Sequence, residues 1–172
     1  MLYVDKLDYR YPGLGGDRAP PGRGLTLRAL DVRLGQIVLL AGPSGCGKST
    51  LARCLGGLIP HLYHGDLSGR VLVDGFDTAD TPLWQLSERA GMVFQNPRSQ
   101  MLAATVEDEI VFGLENLGLD DAEICDRLES ALDQFGLQAL RKRAPLTLSG
   151  GEQQRVALAA IIARQPPVLV LD

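Results

Sequence analysis

No apolar run in the 172 residues approaches the length of a membrane-spanning helix; the longest, Val156 to Ala163, falls far short of the roughly 20 residues required. The opening stretch, MLYVDKLDYR, lacks the unbroken apolar core of a signal peptide because Asp5 and Asp8 interrupt it, so export by that route is not expected. Cysteine is scarce. Cys46, Cys54 and Cys125 form neither a CxxC pair nor an even framework, and they read as free thiols in a reducing compartment, with the cytoplasm as the default. Neither sign of charge dominates: 17 Lys and Arg stand against 21 Asp and Glu, a net charge of -4 with a pI near 5.2. Without Lys/Arg blocks there is no electrostatic footprint for nucleic acid or an anionic membrane. No internal repeat is visible. What is present, 45% hydrophobic and 22% charged residues, is ordinary globular composition and excludes a disordered or collagenous chain. A mass of 18.5 kDa suffices for one domain, which would bury roughly two-thirds of its unfolded surface.

Residues 1 to 11 alternate apolar and polar (Leu2, Val4, then Leu7, Tyr9, Tyr11), the pattern of a half-buried strand. Leu25, Leu27, then Leu30, Val32 and Leu34 suggest its antiparallel partner, and the Gly/Pro/Arg stretch from 12 to 24 between them reads as a surface loop. Ile37 to Ala41 is a continuous apolar run, as expected of a strand buried on both faces. Lys48 to Leu58 reads as a helix ended by Pro60, and Val71–Val73 and Met92–Phe94 read as short strands. Between these two strands a helix can start with Thr81 as cap and Pro82 at its first position. From Thr105 the period becomes helical. Val106, Ile110, Leu114 and Leu117 form one stripe; Ile124, Leu128, Leu132 and Phe135 form another, with Asp120 or Asp121 as cap and Gly136 as stop. Ser149 to Gln165 reads as a last helix, stopped by Pro166 and Pro167, and Val168 to Leu171 as a buried strand. The fold class is α/β, an N-terminal antiparallel β subdomain and α/β core with an inserted helical subdomain at about 97–148, all within one domain over 1–172.

Two constellations carry chemistry. Gly42, Pro43, Ser44, Gly45, Cys46, Gly47, Lys48 and Ser49 fit GxxxxGK[ST], placed after an apolar run and before a helix. Glycines let the backbone fold around an anion, and the helix start adds its positive end. Lys48 would reach the β- and γ-phosphates and Ser49 would ligate Mg²⁺, so the chain binds a nucleoside phosphate, ATP or GTP. Leu148-Ser149-Gly150-Gly151-Glu152 opens a later helix and exposes first-turn amides, a second setting for phosphate.

With Gln95 after a strand, and Asp172 after four apolar residues, the motifs fall in the order seen in ATP-binding-cassette (ABC) ATPases, which the whole chain resembles. The resemblance implies a P-loop NTPase fold, the ABC nucleotide-binding domain, in which Tyr11 stacks on adenine and Thr50 completes the phosphate loop. It also implies that Gln95 touches Mg²⁺ and the attacking water, and that Asp172 holds Mg²⁺ through water, as suits a carboxylate and a hard cation. Ser149, Gly150, Gly151 and Glu152 would face the γ-phosphate of a second ABC subunit, identical or homologous, because the family sandwiches ATP in a head-to-tail dimer.

The segments 57–75 and 93–119 are similar to the ATPase subunits of energy-coupling factor transporters, importers of vitamins and transition metals. That likeness implies a protein that is cytoplasmic and peripheral on the inner face of the cell membrane. Asn96 to Ala104 would receive a transmembrane coupling subunit, a separate membrane component would bind the solute, and no nucleic acid is involved. His61 and His64 have metal-like spacing, yet no cysteine or carboxylate cluster completes a zinc or nickel site. Cys46 reads as a small tolerated residue and Trp84 as a packing residue on its helix.

The sequence departs from the family where it stops. The glutamate that follows the Asp172 position in the family polarises the attacking water, and such groups typically supply about 10²- to 10⁴-fold in rate. The 172 residues are therefore expected to bind nucleotide far better than they hydrolyse it, and to form a domain incomplete at the C-terminus, its central sheet lacking an inner strand. The leading reading is the ATPase subunit of such an importer. A soluble ABC ATPase, expected to show two cassettes, a coiled-coil insert or a basic surface, and a non-hydrolytic nucleotide-binding fragment are the alternatives.

Overall fold

The break in alternation between Val4 and Leu7 has a direct structural cause. In the computed structural model, which describes residues 1–13 and 23–172, strand β1 (Leu2–Arg10) carries a bulge there. Its register against β3 (Asp66–Val73) shifts between Asp5 and Asp8, and Lys6 adopts φ 48°. Gly69 faces the bulge at φ 86°, and a Cβ there would stand 2.2 Å from the Lys6 carbonyl oxygen, so no other residue fits. The bulge moves the buried face from even to odd positions: Leu2, Val4, Leu7 and Tyr9 are all buried.

The chain divides into two compact units. The first comprises Met1–Ala90, Pro167–Val170 and Asp172. Its sheet has the order β2-β1-β3-β4, with β2 at Gly24–Val32 and β4 at Phe76–Asp77, and every pairing in it is antiparallel. The second alternating segment pairs with β1 as expected, with Val4 opposite Leu30 and Leu7 opposite Leu27. Val71–Val73, read from sequence as part of a strand-helix-strand alternation, instead end a longer strand that pairs antiparallel with β1. Residues 14–22 of the Gly/Pro/Arg stretch lie outside the described residues.

Helix α1 (Lys48–Leu55) buries Leu51, Ala52, Cys54 and Leu55. It stops before the expected proline, because Gly56 and Gly57 follow and Gly57 takes φ 72°, where a Cβ would collide with Leu86. A single turn, α2 (Leu58–His61), comes next. Helix α3 (Leu83–Arg89) begins one residue later than expected: Pro82, at ψ 142°, is the cap rather than the first helical residue. Leu86 supplies its buried contact, whereas Trp84, expected to pack, is 68% exposed.

The expected strand Ile37–Ala41 is not one. The segment makes no ladder among the described residues, and Ile37 is 99% exposed. An apolar run signals that a segment suits a buried place, but a strand also needs a neighbour to receive its N–H and C=O groups.

The second unit comprises Gly91–Pro166 and Leu171, so the division falls within β5 (Ala90–Val93) and β6 (Val168–Leu171). Its helices are α4 (Val106–Glu115), α5 (Asp121–Gln134) and α6 (Gly150–Ala163). Val106, Ile110, Leu114, Leu128, Leu132, Leu137, Val156 and Ala159 form its core. Fully burying one such large side chain contributes about 1.5–3 kcal/mol. Leu117 lies past the end of α4, and Phe135 is the C-cap of α5. Thr105 accepts from the Asp108 amide, and Asp120 from the Glu123 amide at 2.9 Å. Gly136 closes α5 at φ 61°. Glu107 receives hydrogen bonds from both Arg141 and Lys142, and Arg141 reaches Glu129 at 2.5 Å, tying the segment after α5 to α4 and α5.

Candidate functional site

The phosphate-loop sequence folds as its glycines dictate. Gly45 takes φ 80° and Gly47 φ 103°, both in the left-handed region that L side chains rarely adopt. Gly47 is the N-cap of α1, and no side chain accepts from the amides behind it. The first-turn N–H groups of a helix have no acceptor within the helix itself. No residue of α1 itself places an acidic side chain in that turn, so the helix supplies no counter-charge of its own at its positive end. The Lys48 ammonium curls over this opening and donates to the carbonyls of Gly42 at 2.8 Å and Pro43 at 3.0 Å. Cys46 is exposed, its Sγ 3.8 Å from Lys48 Nζ. Pro43 and Ser44 are exposed.

Ser49 Oγ donates to Asp172 Oδ1 at 2.8 Å, so two residues 123 positions apart in sequence meet within the first unit. A hydroxyl and a carboxylate side by side next to an uncapped helix start present the hard oxygen donors that Mg²⁺ selects, beside the amides and cation that suit a polyphosphate. The donor set therefore fits a magnesium nucleotide.

Tyr11 lies alongside α1, its hydroxyl between the first-turn Thr50 and the last-turn Arg53. Its hydroxyl accepts from Arg53 Nη1 at 2.8 Å and lies 3.2 Å from Thr50 Oγ1, and its ring meets Tyr9 edge-on at 4.9 Å. Arg53 escaped the sequence reading. A basic residue in the last turn of a helix is favoured by the dipole alone, so nothing in the sequence marks it as a partner of Tyr11.

Gln95, the segment Asn96 to Ala104 and the Ser149–Glu152 motif lie in the second unit. Gln95 is exposed just after β5. Asn96 caps the 3-10 turn Pro97–Gln100 by accepting from the Arg98 amide at 3.2 Å. Gln100, which sequence reasoning also missed, reaches back across this turn. Its Oε1 accepts from the Phe94 amide at 2.8 Å and its Nε2 donates to the Met92 carbonyl at 3.0 Å, so its amide pairs with one edge of the strand leading to Gln95, as a neighbouring strand would. Ser149 and Glu152 form a reciprocal capping box on α6. The Ser149 hydroxyl and amide hold the Glu152 carboxyl below its usual range. Gly150 and Gly151 are exposed, and a Cβ on either would meet open space. Their exposed backbone can therefore be approached from outside the chain.

His61 and His64 are not joined by further ligands. His61 Nε2 pairs with the Thr78 carbonyl at 2.9 Å, the His64 carbonyl accepts from the Tyr9 hydroxyl, and no metal-binding cluster occurs among the described residues.

Residues 26–172 match the family described as ABC transporter. The chain belongs to the ABC transporter family. As an ABC ATPase domain it is 45% identical, over 99% of its length, to the energy-coupling factor transporter ATP-binding protein EcfA1 of Symbiobacterium thermophilum. It is 46% identical over its full length to a putative ABC transporter ATP-binding protein of Methanosarcina acetivorans. It spans 58% of the first relative and 27% of the second. Among solved structures, cbiO1 of Clostridium perfringens, part of the ABC transporter complex cbiONQ, aligns over 99% of this chain and 64% of its own, with a TM-score of 0.79 and 31% identity. An ATP-binding cassette solved as a dimer in a post-hydrolysis state with ADP and Pi aligns over the whole chain and 76% of its own, with a TM-score of 0.80 and 25% identity. The α/β fold with its antiparallel N-terminal sheet is thus that of ABC ATPase domains. No helix among the described residues is long and apolar enough to cross a membrane.

Proposed function

We propose that this ABC ATPase domain binds Mg-ATP at the phosphate loop and powers solute import as the ATPase of an energy-coupling factor type transporter. The observation that carries the reading is the convergence of the uncapped start of α1, Lys48 and the Ser49–Asp172 pair at one place. When bound, Mg-ATP supplies a phosphoryl group whose transfer is catalysed almost entirely by positioning and electrostatics. Lys48 exchanges its carbonyl partners for phosphate oxygens and offsets their charge. Ser49 and Asp172 would hold the cation, the carboxylate through water. Tyr11 would offer its ring to the adenine, and the family resemblance assigns Gln95, in the second unit, to the attacking water. Ser149, Gly150 and Gly151, with Glu152 bracing the cap, present backbone amides to the γ-phosphate held by a second ABC subunit, so that nucleotide joins the two.

The likeness to EcfA1 and to cbiO1 supports a transport role, with Asn96 to Ala104 receiving a transmembrane coupling subunit and a separate membrane component binding the solute. The protein would then sit peripherally on the cytoplasmic face of the membrane. Ser149→Arg in the full-length protein tests the assignment of the second subunit's contacts. Single-subunit ATP binding is expected to survive while the ATP-dependent dimer is lost, and loss of binding by the single subunit would show that the signature is misread. Co-purification of membrane subunits with the tagged protein tests the transport role, and ribosomes or DNA in their place would sink it.

A further inference from the structure

Tyr11 lies just past the end of β1, where among the described residues the ladder continues as the bond from its amide to the Arg23 carbonyl at 3.1 Å. Strand pairing places its backbone but not its ring. Three contacts place the ring. It meets the ring of Tyr9 at nearly a right angle, and Tyr9 is fully buried and itself anchored by donating to the His64 carbonyl at 2.9 Å. Its hydroxyl stands beside Thr50 Oγ1, and it receives Arg53 Nη1. A phenol has one proton to donate, so with Arg53 donating to its oxygen that proton is left for Thr50. The Arg53 guanidinium is held from its other side, its centre 4.6 Å above the ring of Tyr63, a cation–π contact. Its position in the last turn of α1 adds the favourable end of the helix dipole.

We infer that Arg53 is a positioning residue for nucleotide base recognition: gripped between Tyr63 and the Tyr11 hydroxyl, it fixes the Tyr11 ring relative to the helix that begins at the phosphate loop. The inference rests on the reading of Tyr11 as the adenine platform. Its consequence is that one short helix registers both ends of the nucleotide. Ser49 and the first-turn amides face the phosphates, Thr50 adjoins Ser49, and the Thr50–Tyr11–Arg53 chain carries that register to the base. An arginine serving only to stabilise the unit would affect every ligand of the phosphate loop alike. A positioning arginine affects only ligands that carry a base.

The test compares Mg-ATP with Mg-tripolyphosphate, which has the phosphates and no base, by calorimetry on the full-length protein. Arg53→Met keeps the stem and removes the donor; Tyr11→Phe keeps the ring and removes the acceptor. Each is expected to weaken ATP binding by about 3- to 10-fold, the range of one net hydrogen bond, with the loss falling on ATP and not on tripolyphosphate. The double variant is expected to lose no more than Tyr11→Phe alone, because removing the hydroxyl already breaks its link to Arg53 along with that to Thr50. Equal losses for ATP and tripolyphosphate in Arg53→Met, an unchanged ATP affinity, or additive losses in the double variant would overturn the inference. Should Arg53→Met fail to fold, Tyr11→Phe reports the same bond from its other side, and an unchanged ATP affinity there overturns it equally. Tyr11→Ala separates the two readings: if it spares ATP binding, the adenine platform itself is wrong, whereas a selective loss of ATP binding there with none in Arg53→Met refutes the positioning role alone.

Discussion

Replacing Gly47 by alanine tests whether the phosphate loop is held in one conformation by its glycines. Gly47 sits at φ 103° and ψ 8°, a region that costs an L residue roughly 1–3 kcal/mol. An added Cβ would also stand 3.0 Å from Leu25 Cδ1, so Leu25 must give way by a few tenths of an ångström. Against this, alanine narrows the unfolded ensemble and returns about 0.4–1 kcal/mol. The net expectation is a loss of about 1–2 kcal/mol, which in a chain of this size lowers the melting temperature by about 2–8 °C. Gly45→Ala is the matched control. At φ 80° it carries similar strain, but its Cβ meets nothing within 4 Å, so any excess loss in Gly47→Ala measures the Leu25 contact. Thermal and urea unfolding give the stabilities, and calorimetry with Mg-ATP reports whether the amide cradle survives. A Gly47→Ala protein as stable as the parent, binding ATP equally well, would refute the claim that a left-handed residue at the start of α1 shapes the site.

Other expectations concern the two units separately. Leu132 is fully buried in the helical core, and Leu132→Ala should cost about 2–5 kcal/mol in urea unfolding; a loss below about 1 kcal/mol would mean that this position does not sit in a close-packed core. Glu107 is held below the usual carboxylate range by hydrogen bonds from Lys142 and Arg141, and Glu129 by Gln138 and Arg141. A lowered folded-state pKa gives stability that is fully present above the ordinary value near 4.5 and is lost as pH falls through the folded value. Glu107→Gln should therefore flatten the acid limb of a stability-versus-pH curve below about 4.5, and a curve that superimposes on the parent's would contradict the pairing. Burial pushes the Cys54 thiol up to about 12, while Cys46 and Cys125 are exposed. Iodoacetamide at mildly alkaline pH should label those two in the native chain and Cys54 only after unfolding, read by intact mass. Rapid native labelling of Cys54 would mean that α1 is not packed as described.

The helical unit was the most legible part of the sequence. Stripes at Val106, Ile110 and Leu114 and at Leu128 and Leu132, with Asp120 and Ser149 as caps and Gly136 as stop, are local signals, and the structure satisfies them locally. The phosphate loop was legible for the same reason, since its conformation is set by consecutive residues. Pairings between distant segments were not. The alternation of β1 displayed its bulge as a skipped residue, but that β3 lies beside it and that Gly69 accommodates the bulge depend on residues about sixty positions away. The apolar run Ile37–Ala41 shows its hydrophobicity in sequence but not the partner a strand requires. Arg53 acts through one side-chain hydrogen bond to Tyr11, and Gln100 through two to the backbone of Met92 and Phe94, and bonds of that kind leave no periodic trace.

The central claim, that α1 and its loop bind a magnesium nucleotide, is tested most directly by calorimetric titration of Mg-ATP into the full-length protein and its Lys48→Ala variant. The Lys48 ammonium now rests on two loop carbonyls and would transfer to phosphate oxygens on binding. The account predicts saturable, magnesium-dependent binding that weakens by about 1.5–3 kcal/mol, or roughly 10- to 150-fold, in the variant. Equal affinity in parent and variant, or no binding by the parent, would contradict it.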